Sequence, residues 1–191
     1  MSEEQYWQTI HKTQDQLNHL FYDYWKQYSD FGNWQFWAVL ALAVLPLVLL
    51  CFTVDRKRIF ELFFFGYTVH ILWTYIDIAL GRSNHLTHAY FLIPILPNAS
   101  NITASVLPVG FLLLYQYCTK HSKNFYVYTI IVSALFAFGL APLEKSLGLI
   151  EARKSMNLFY VFLIDLGIVY FAYWITKWLL NIQKKEQALD K

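Results

Sequence analysis

The ionisable residues of this chain that fall inside apolar runs are the first candidates for chemistry. Asp77 and Asp165 each lie within such a run, and a charge in hydrocarbon is costly enough to be a functional candidate on physical grounds alone. Gly66, His70, Thr74, Asp77 and Gly81 succeed one another at spacings of four, four, three and four, which places them along one face of a helix. Asp165 would share a side of its own helix with Asn157. Glu144 closes another apolar run, and His85 and His88 stand in a polar stretch after Asp77. The topology derived below brings Asp77, Asp165, Glu144, His85 and His88 to one end of the molecule. There they would form a small polar site for a cation, a proton or a polar ligand. The alternative is structural: carboxylates satisfied by Tyr, Trp, Asn or backbone donors, a neutral core His70, and a solvated Glu144 at a helix end.

Other chemistries find less footing. His85-x-x-His88 would put two imidazoles on one face of a helical turn, with Asp77 or Glu144 to complete a metal set. Two histidines in a polar loop are thin support, and no metal or other cofactor is expected. The chain has no GxSxG, HExxH, Walker or GxGxxG sequence, and an enzyme is the least supported class. Cys51 and Cys118 lack CxxC spacing and read as small buried apolar residues.

The elements that must position these residues are membrane spans. Hydrophobic residues make up 57% of the 191 and charged residues 15%, against about 25% charge in a soluble domain. The apolar residues gather in runs of roughly the 20 that cross a hydrocarbon core. The net charge of +2, without a basic patch interleaved with aromatics, argues against a nucleic-acid partner. The expected fold is all-α: a polytopic bundle of five transmembrane helices over residues 34–54, 59–80, 102–118, 125–143 and 158–180, with a cytoplasmic tail over 181–191. Pro46 should bend the first span. Ser133, Ala137 and Ala141, four apart, form a small-residue stripe on the fourth.

Residues 1–33 precede the spans, with no cleavable signal peptide expected. Ser2 and Gln5 fit a capping box. Trp7, Ile10, Leu17, Phe21, Tyr24, Trp25 and Tyr28 recur at helical intervals, with Lys12, Asp15, Asp23 and Lys26 off that stripe. This predicts an amphipathic helix anchored in the headgroup region by Trp7, Phe21, Tyr24, Trp25 and Tyr28, although packing on a partner protein would use the same face. Gly32 and Asn33 supply a break and an N-cap. Between the second and third spans, Ala89-Tyr90-Phe91-Leu92-Ile93-Pro94-Ile95-Leu96-Pro97 is apolar, too short to span and broken by prolines. It predicts a loop that dips into the membrane or lies on it. Asn98 and Asn101 head N-x-S/T triplets that carry no meaning in a bacterial protein.

Five spans put the termini on opposite sides. Of the fifteen Lys and Arg residues, nine fall on the side of Arg56-Lys57-Arg58 and six on the other. The positive-inside rule then places the C-terminus in the cytoplasm and the N-terminal helix outside. No repeat relates the two halves, which weighs against an inverted-repeat transporter.

Several short stretches, in order, resemble a family of small uncharacterised multi-pass membrane proteins of spore-forming Firmicutes of the Bacillus and Clostridium type. They are Val54-Asp55-Arg56-Lys57-Arg58, Ile76-Asp77, Phe91 to Pro97, Val106-Leu107-Pro108-Val109 running into Leu114-Tyr115-Gln116-Tyr117, Ala134 to Phe138, and Leu147-Gly148-Leu149-Ile150-Glu151. The resemblance covers most of residues 30–180. It implies a bacterial cell membrane and no particular activity. Many members carry a Glu directly before the proline ending the fourth span, where this chain has Ala141-Pro142; Glu144 is offset by three and is not equated with it. The expectation is a protein acting through binding, as a subunit or accessory factor with a membrane partner or a second copy of itself. The alternative is a small oligomeric transporter or channel using Asp77 and Asp165.

Overall fold

The computed structural model describes residues 1–96, 99–152 and 156–189. Pro97 of the proline-rich run, Asn98 at the head of its triplet, Arg153 and Lys154 of the charge count, and the last two residues of the tail lie outside them.

Helix α1, Glu3–Tyr24, opens on the expected capping box: Gln5 N–H donates to Ser2 Oγ, and Ser2 N–H to Gln5 Oε1. It runs on through a π turn, Trp25–Ser29, to a bend at Asp30. None of its residues is buried. Asn33 occupies the N-cap position of α2 but caps nothing; its amide donates to Asp30 Oδ1 at 2.8 Å instead. Helix α2, Trp34–Thr53, continues unbroken past Pro46. After a 3₁₀ turn at Arg56–Arg58, α3 runs from Ile59 to Arg82. A π turn at Ile102–Val106 leads into α4, Leu107–Lys120. Helix α5, Phe125–Leu135, passes through a third π turn, Phe136–Leu140, into α6, Ala141–Ser146. Helix α7 spans Leu158–Leu189.

Five stretches are long and apolar enough to cross a membrane: Trp34–Thr53, Arg56–Arg82, Ile102–Lys120, Phe125–Ser146 and Leu158–Ala188. Phe52 and Phe60, 84% and 90% exposed, are the kind of surface a lipid-facing helix carries and a soluble bundle avoids. Helix α3 is central, packing on α4 and α7, while α4 packs on α5 and on the end of α2.

Two of the π turns share a cause. Each precedes a proline by two residues, at Leu107-Pro108 and Ala141-Pro142, and in each the N–H before the proline bonds five residues back, Leu107 to Ile102 and Ala141 to Phe136. A proline ring collides with the carbonyl four residues behind it. Widening the helix by one residue moves that carbonyl aside.

The polar stretch after α3 is not the helical turn that His85-x-x-His88 would need. Strand β1, Leu86–His88, pairs antiparallel with β2, Ile150–Ala152, and Ala89 N–H extends the pairing to Leu149 O at 3.0 Å. This ribbon lies across one end of the bundle. Phe91, buried beyond it, receives the end of the N-terminal helix. Trp25 Nε1–H donates to Phe91 O at 3.0 Å, Ser29 Oγ bonds both its N–H and its carbonyl, and Phe21 and Tyr24 meet its ring. Of the expected interfacial anchors, Phe21, Tyr24 and Trp25 therefore contact the loop, whereas Trp7 and Tyr28 are open to the surroundings.

Candidate functional site: an acidic cavity beneath the ribbon

Asp77 stands one turn before the end of α3, close enough to the ribbon to hold it. His88 Nε2–H donates to Asp77 Oδ1 at 2.9 Å, and Ala99 N–H to Asp77 Oδ2 at 3.3 Å. One carboxylate thus fastens both the start and the return of the loop to α3. Trp73, one turn earlier, donates its indole Nε1–H to Asp165 Oδ1 on α7 at 2.8 Å. Asp165 is 2% exposed, and its second oxygen, Oδ2, has no hydrogen-bond partner. Ser133 faces this carboxylate, but neither Ser133 Oγ nor Asp165 Oδ2 completes a hydrogen bond.

These groups surround a cavity of about 700 Å³. Asp77 and Trp73 enter it from α3, His88 from β1, Glu144 from α6 and Asp165 from α7, with Asn157 at the head of α7. Most of the remaining wall is carbon, including Leu107, Phe136, Leu140 and Val161. The volume falls in the range of about 300–1,000 Å³ typical of small-molecule sites. Ala137 and Ala141 also line it, so two members of the small-residue stripe border the space, while the third, Ser133, meets Asp165 where α5 packs on α7. Gly110 makes a similar allowance: a Cβ there would lie 2.7 Å from Phe136 Cζ, so the glycine lets the tip of that ring reach α4.

Glu144 is a correction. It does not project into solvent as a helix-end carboxylate; it is 6% exposed and turned into the cavity. The π turn and Pro142 carry α6 inward, and the ribbon covers it. Its carboxylate enters neither of the ion pairs formed among the described residues, and His88 is the charge partner that acts on it. His88 is likewise half-buried rather than at the outer surface. His85 does not join the group: its Nδ1 bonds Ser83 Oγ at 2.8 Å. The two histidines, three apart at the edge of a strand, face different partners, and no cluster of three metal-binding side chains forms among the described residues.

His70 and Thr74 are also apart from the cavity. His70 Nδ1 lies 2.9 Å from Thr103 O and 3.3 Å from Thr74 Oγ1. A carbonyl only accepts, so this nitrogen carries the proton. His70 borders a separate hollow of about 150 Å³ beside Gly66 and Leu112.

A second polar cluster, at the other end of the bundle, was hidden in the basic run that follows α2. Arg58 grips Glu61 with two hydrogen bonds of 2.9 and 2.6 Å and donates to Thr119 Oγ1 at 2.9 Å. Tyr115 O–H donates to Glu61 Oε1 at 2.5 Å, and Lys177 Nζ lies 5.6 Å from the ring centres of Tyr115 and Tyr173. An arginine beginning a span and a glutamate three residues on is the signal that could have found it.

The fold and cavity define a multi-pass helical membrane protein with a partly polar chamber at one end. No protein-family model, no curated protein and no solved structure matches the chain.

Proposed function

We propose that this is a bacterial cell-membrane protein that works by binding, holding a small ligand in the chamber under the ribbon. One observation carries the reading. Four titratable side chains from four separate elements, Asp77, His88, Glu144 and Asp165, border a single cavity of ligand size. Asp77 and His88 also tie the ribbon to α3, and Asp165 ties α7 to α3, but desolvating four such groups around one space opposes stability, and convergent polar groups in an apolar pocket are what a binding site requires. The positive-inside count supports an outer position for the chamber and the N-terminal helix. The resemblance to the Firmicutes family supports the bacterial setting. Cavity-lining Ala141, where many members carry Glu, lies one turn from Glu144, so the offset carboxylate serves the same space. The exposed N-terminal helix is available to the interface or to a membrane partner.

The test is labelling of Ala141→Cys in a Cys51→Ser/Cys118→Ser background with a small membrane-impermeant thiol reagent. Labelling of intact cells is expected. Labelling only after permeabilisation would reverse the orientation, and no labelling in either case would sink the open chamber. A second reading, a small oligomeric transporter or channel, draws on Asp77 and Asp165 bordering the same space. Asp77→Asn and Asp165→Asn that remain folded but lose cation- or proton-linked flux in liposomes would favour it. Absence of flux in the parent protein would count against it.

A further inference from the structure

We infer that His70 marks a second ligand site, which takes the ring of a lipid-soluble phenol from the middle of the bilayer, with the phenol O–H donating to His70 Nε2. The site stands independently of the chamber.

His70 is the twelfth of the 24 residues of α3, so it stands near the midplane of the membrane. Its Nδ1–H is spent on Thr103 O, with Thr74 Oγ1 beside it. Neither threonine lines the hollow of about 150 Å³ that His70 borders, so the ring turns its other edge, with Nε2, toward that space. No carboxylate lines the hollow, and an imidazolium without a counter-charge is costly in hydrocarbon. The ring is therefore neutral, and Nε2 holds the lone pair of an acceptor. The buried polar atoms left without a partner among the described residues belong to Ser105, Thr129, Ser133 and Asp165. His70 Nε2 also lacks a partner among the described residues but is not one of these sealed atoms, so it is open to a guest.

The hollow fixes the size and polarity of that guest. Its walls are Leu47 and Leu50 of α2, Phe63 of α3, and Pro108 and Leu112 of α4, all carbon. Gly66 lets Leu112 close the floor, since a Cβ there would lie 2.8 Å from Leu112 Cδ1. Leu47, Phe63 and Tyr67 are exposed, so the opening faces hydrocarbon. An apolar cavity of about 150 Å³ holds one benzene ring, and this one adds a single acceptor at its edge. Water needs about two to four polar partners and finds one. An acyl chain would fill the space but bring no donor. Ammonium and carboxylate heads stay at the interface, whereas a phenol is uncharged and carries its donor to the midplane. The ring of Tyr67, 6.0 Å from the imidazole and tilted 58° to it, offers the guest a further aromatic surface.

Equilibrium binding of radiolabelled 4-nonylphenol and 1-fluoro-4-nonylbenzene to the full chain in nanodiscs, with empty nanodiscs subtracted and affinity expressed per lipid, tests this. Fluorine has nearly the size of a hydroxyl and no proton to give. The phenol should bind saturably and about tenfold tighter than the fluoro compound, which is about 1.4 kcal/mol. His70→Asn keeps a donor for Thr103 and removes Nε2. It should bring the phenol down to the affinity of the fluoro compound and leave the latter unchanged. Ala104→Trp, at an exposed position on the rim of the hollow, should abolish binding of both. Equal affinities on the parent protein would overturn the hydrogen bond to His70. A preference that survives His70→Asn would assign the donor to another acceptor and overturn the site, as would binding that survives Ala104→Trp or the absence of saturable binding. If His70→Asn does not fold, the affinity ratio on the parent protein and the loss of binding in Ala104→Trp decide. None of these outcomes bears on the Ala141→Cys label, which reports the chamber.

Discussion

At the end of the bundle that holds Arg58, Phe65 stacks on Tyr115 with ring centres 4.6 Å apart and Phe125 on Tyr173 at 4.4 Å, and the two pairs meet edge to face. The charge there, Glu61, is met by Arg58 and Tyr115. At the end that holds Asp165, the equivalent space is a chamber, the small residues Ala137 and Ala141 face it, and one carboxylate oxygen is left without a donor. Both ends use ionisable side chains inside membrane-spanning helices. One end spends them on closure and the other holds them open. Since lipid tails are as apolar as side chains, helices in a membrane associate through packing and hydrogen bonds rather than by escaping water. The aromatic end can therefore supply much of the cohesion that the hollow end forgoes.

The sharpest way to break this contrast is to hollow out the filled end. Phe125→Ala should cost about 3–5 kcal/mol, measured as reversible unfolding in bicelles. Phe136→Ala at the chamber should cost under about 2 kcal/mol, because one side of that ring already lacks partner atoms. Equal costs would mean that the chamber wall is packed as tightly as the core. Next in size, Glu61→Ala strands Arg58 and Tyr115. Breaking a fully buried pair costs roughly 3–5 kcal/mol, and the partial exposure of Arg58 lowers the expectation to about 2 kcal/mol. By contrast, Asp165→Asn should leave stability within about 1 kcal/mol or raise it, since it relieves a desolvated charge. A large loss would make Asp165 a structural residue.

Two smaller effects sharpen the description of the hollow end. Asp77→Asn should speed amide exchange in residues 86–89 about tenfold, corresponding to about 1.4 kcal/mol of local opening, with helix content unchanged. Unaltered exchange would show that the ribbon does not depend on Asp77. Finally, Ala141→Glu combined with Glu144→Ala moves a carboxylate by one turn around the same cavity. The unfolding free energy in bicelles should stay within about 1 kcal/mol of the parent. Loss beyond that would tie the site to Glu144 itself.

The spans and the N-terminal capping box were legible because long apolar runs and a Ser-x-x-Gln pattern are local signals. The gathering of Asp77, Asp165, Glu144 and His88 at one end was legible from topology. The number of crossings decides which end each reaches. The chamber itself was not. It depends on Glu144 turning inward after Pro142 and on a ribbon of two three-residue strands, Leu86–His88 and Ile150–Ala152. Three residues are too few for an alternating pattern, and their partners are more than sixty positions apart. The pairing of Arg58 with Glu61 was not legible, because a basic cluster at a span boundary does the same work whether or not its charges are paired.

The bond between Trp73 and Asp165 also has a consequence for how the protein is made. Its two halves are 92 residues apart in the chain, and the carboxylate arrives with the fifth span. An aspartate at a helix centre adds about 2.5–3.5 kcal/mol to the cost of entering the bilayer, and Asp165, two turns from the start of α7, adds less than that but still opposes insertion. When α7 leaves the translocon, the indole of α3 is already in the membrane, so a donor is waiting. The order of synthesis thus lets the earlier helix act as a docking post for the most expensive residue of the later one. Trp73→Phe should accordingly lower the yield of fully inserted protein more than it lowers the stability of the molecules that do insert.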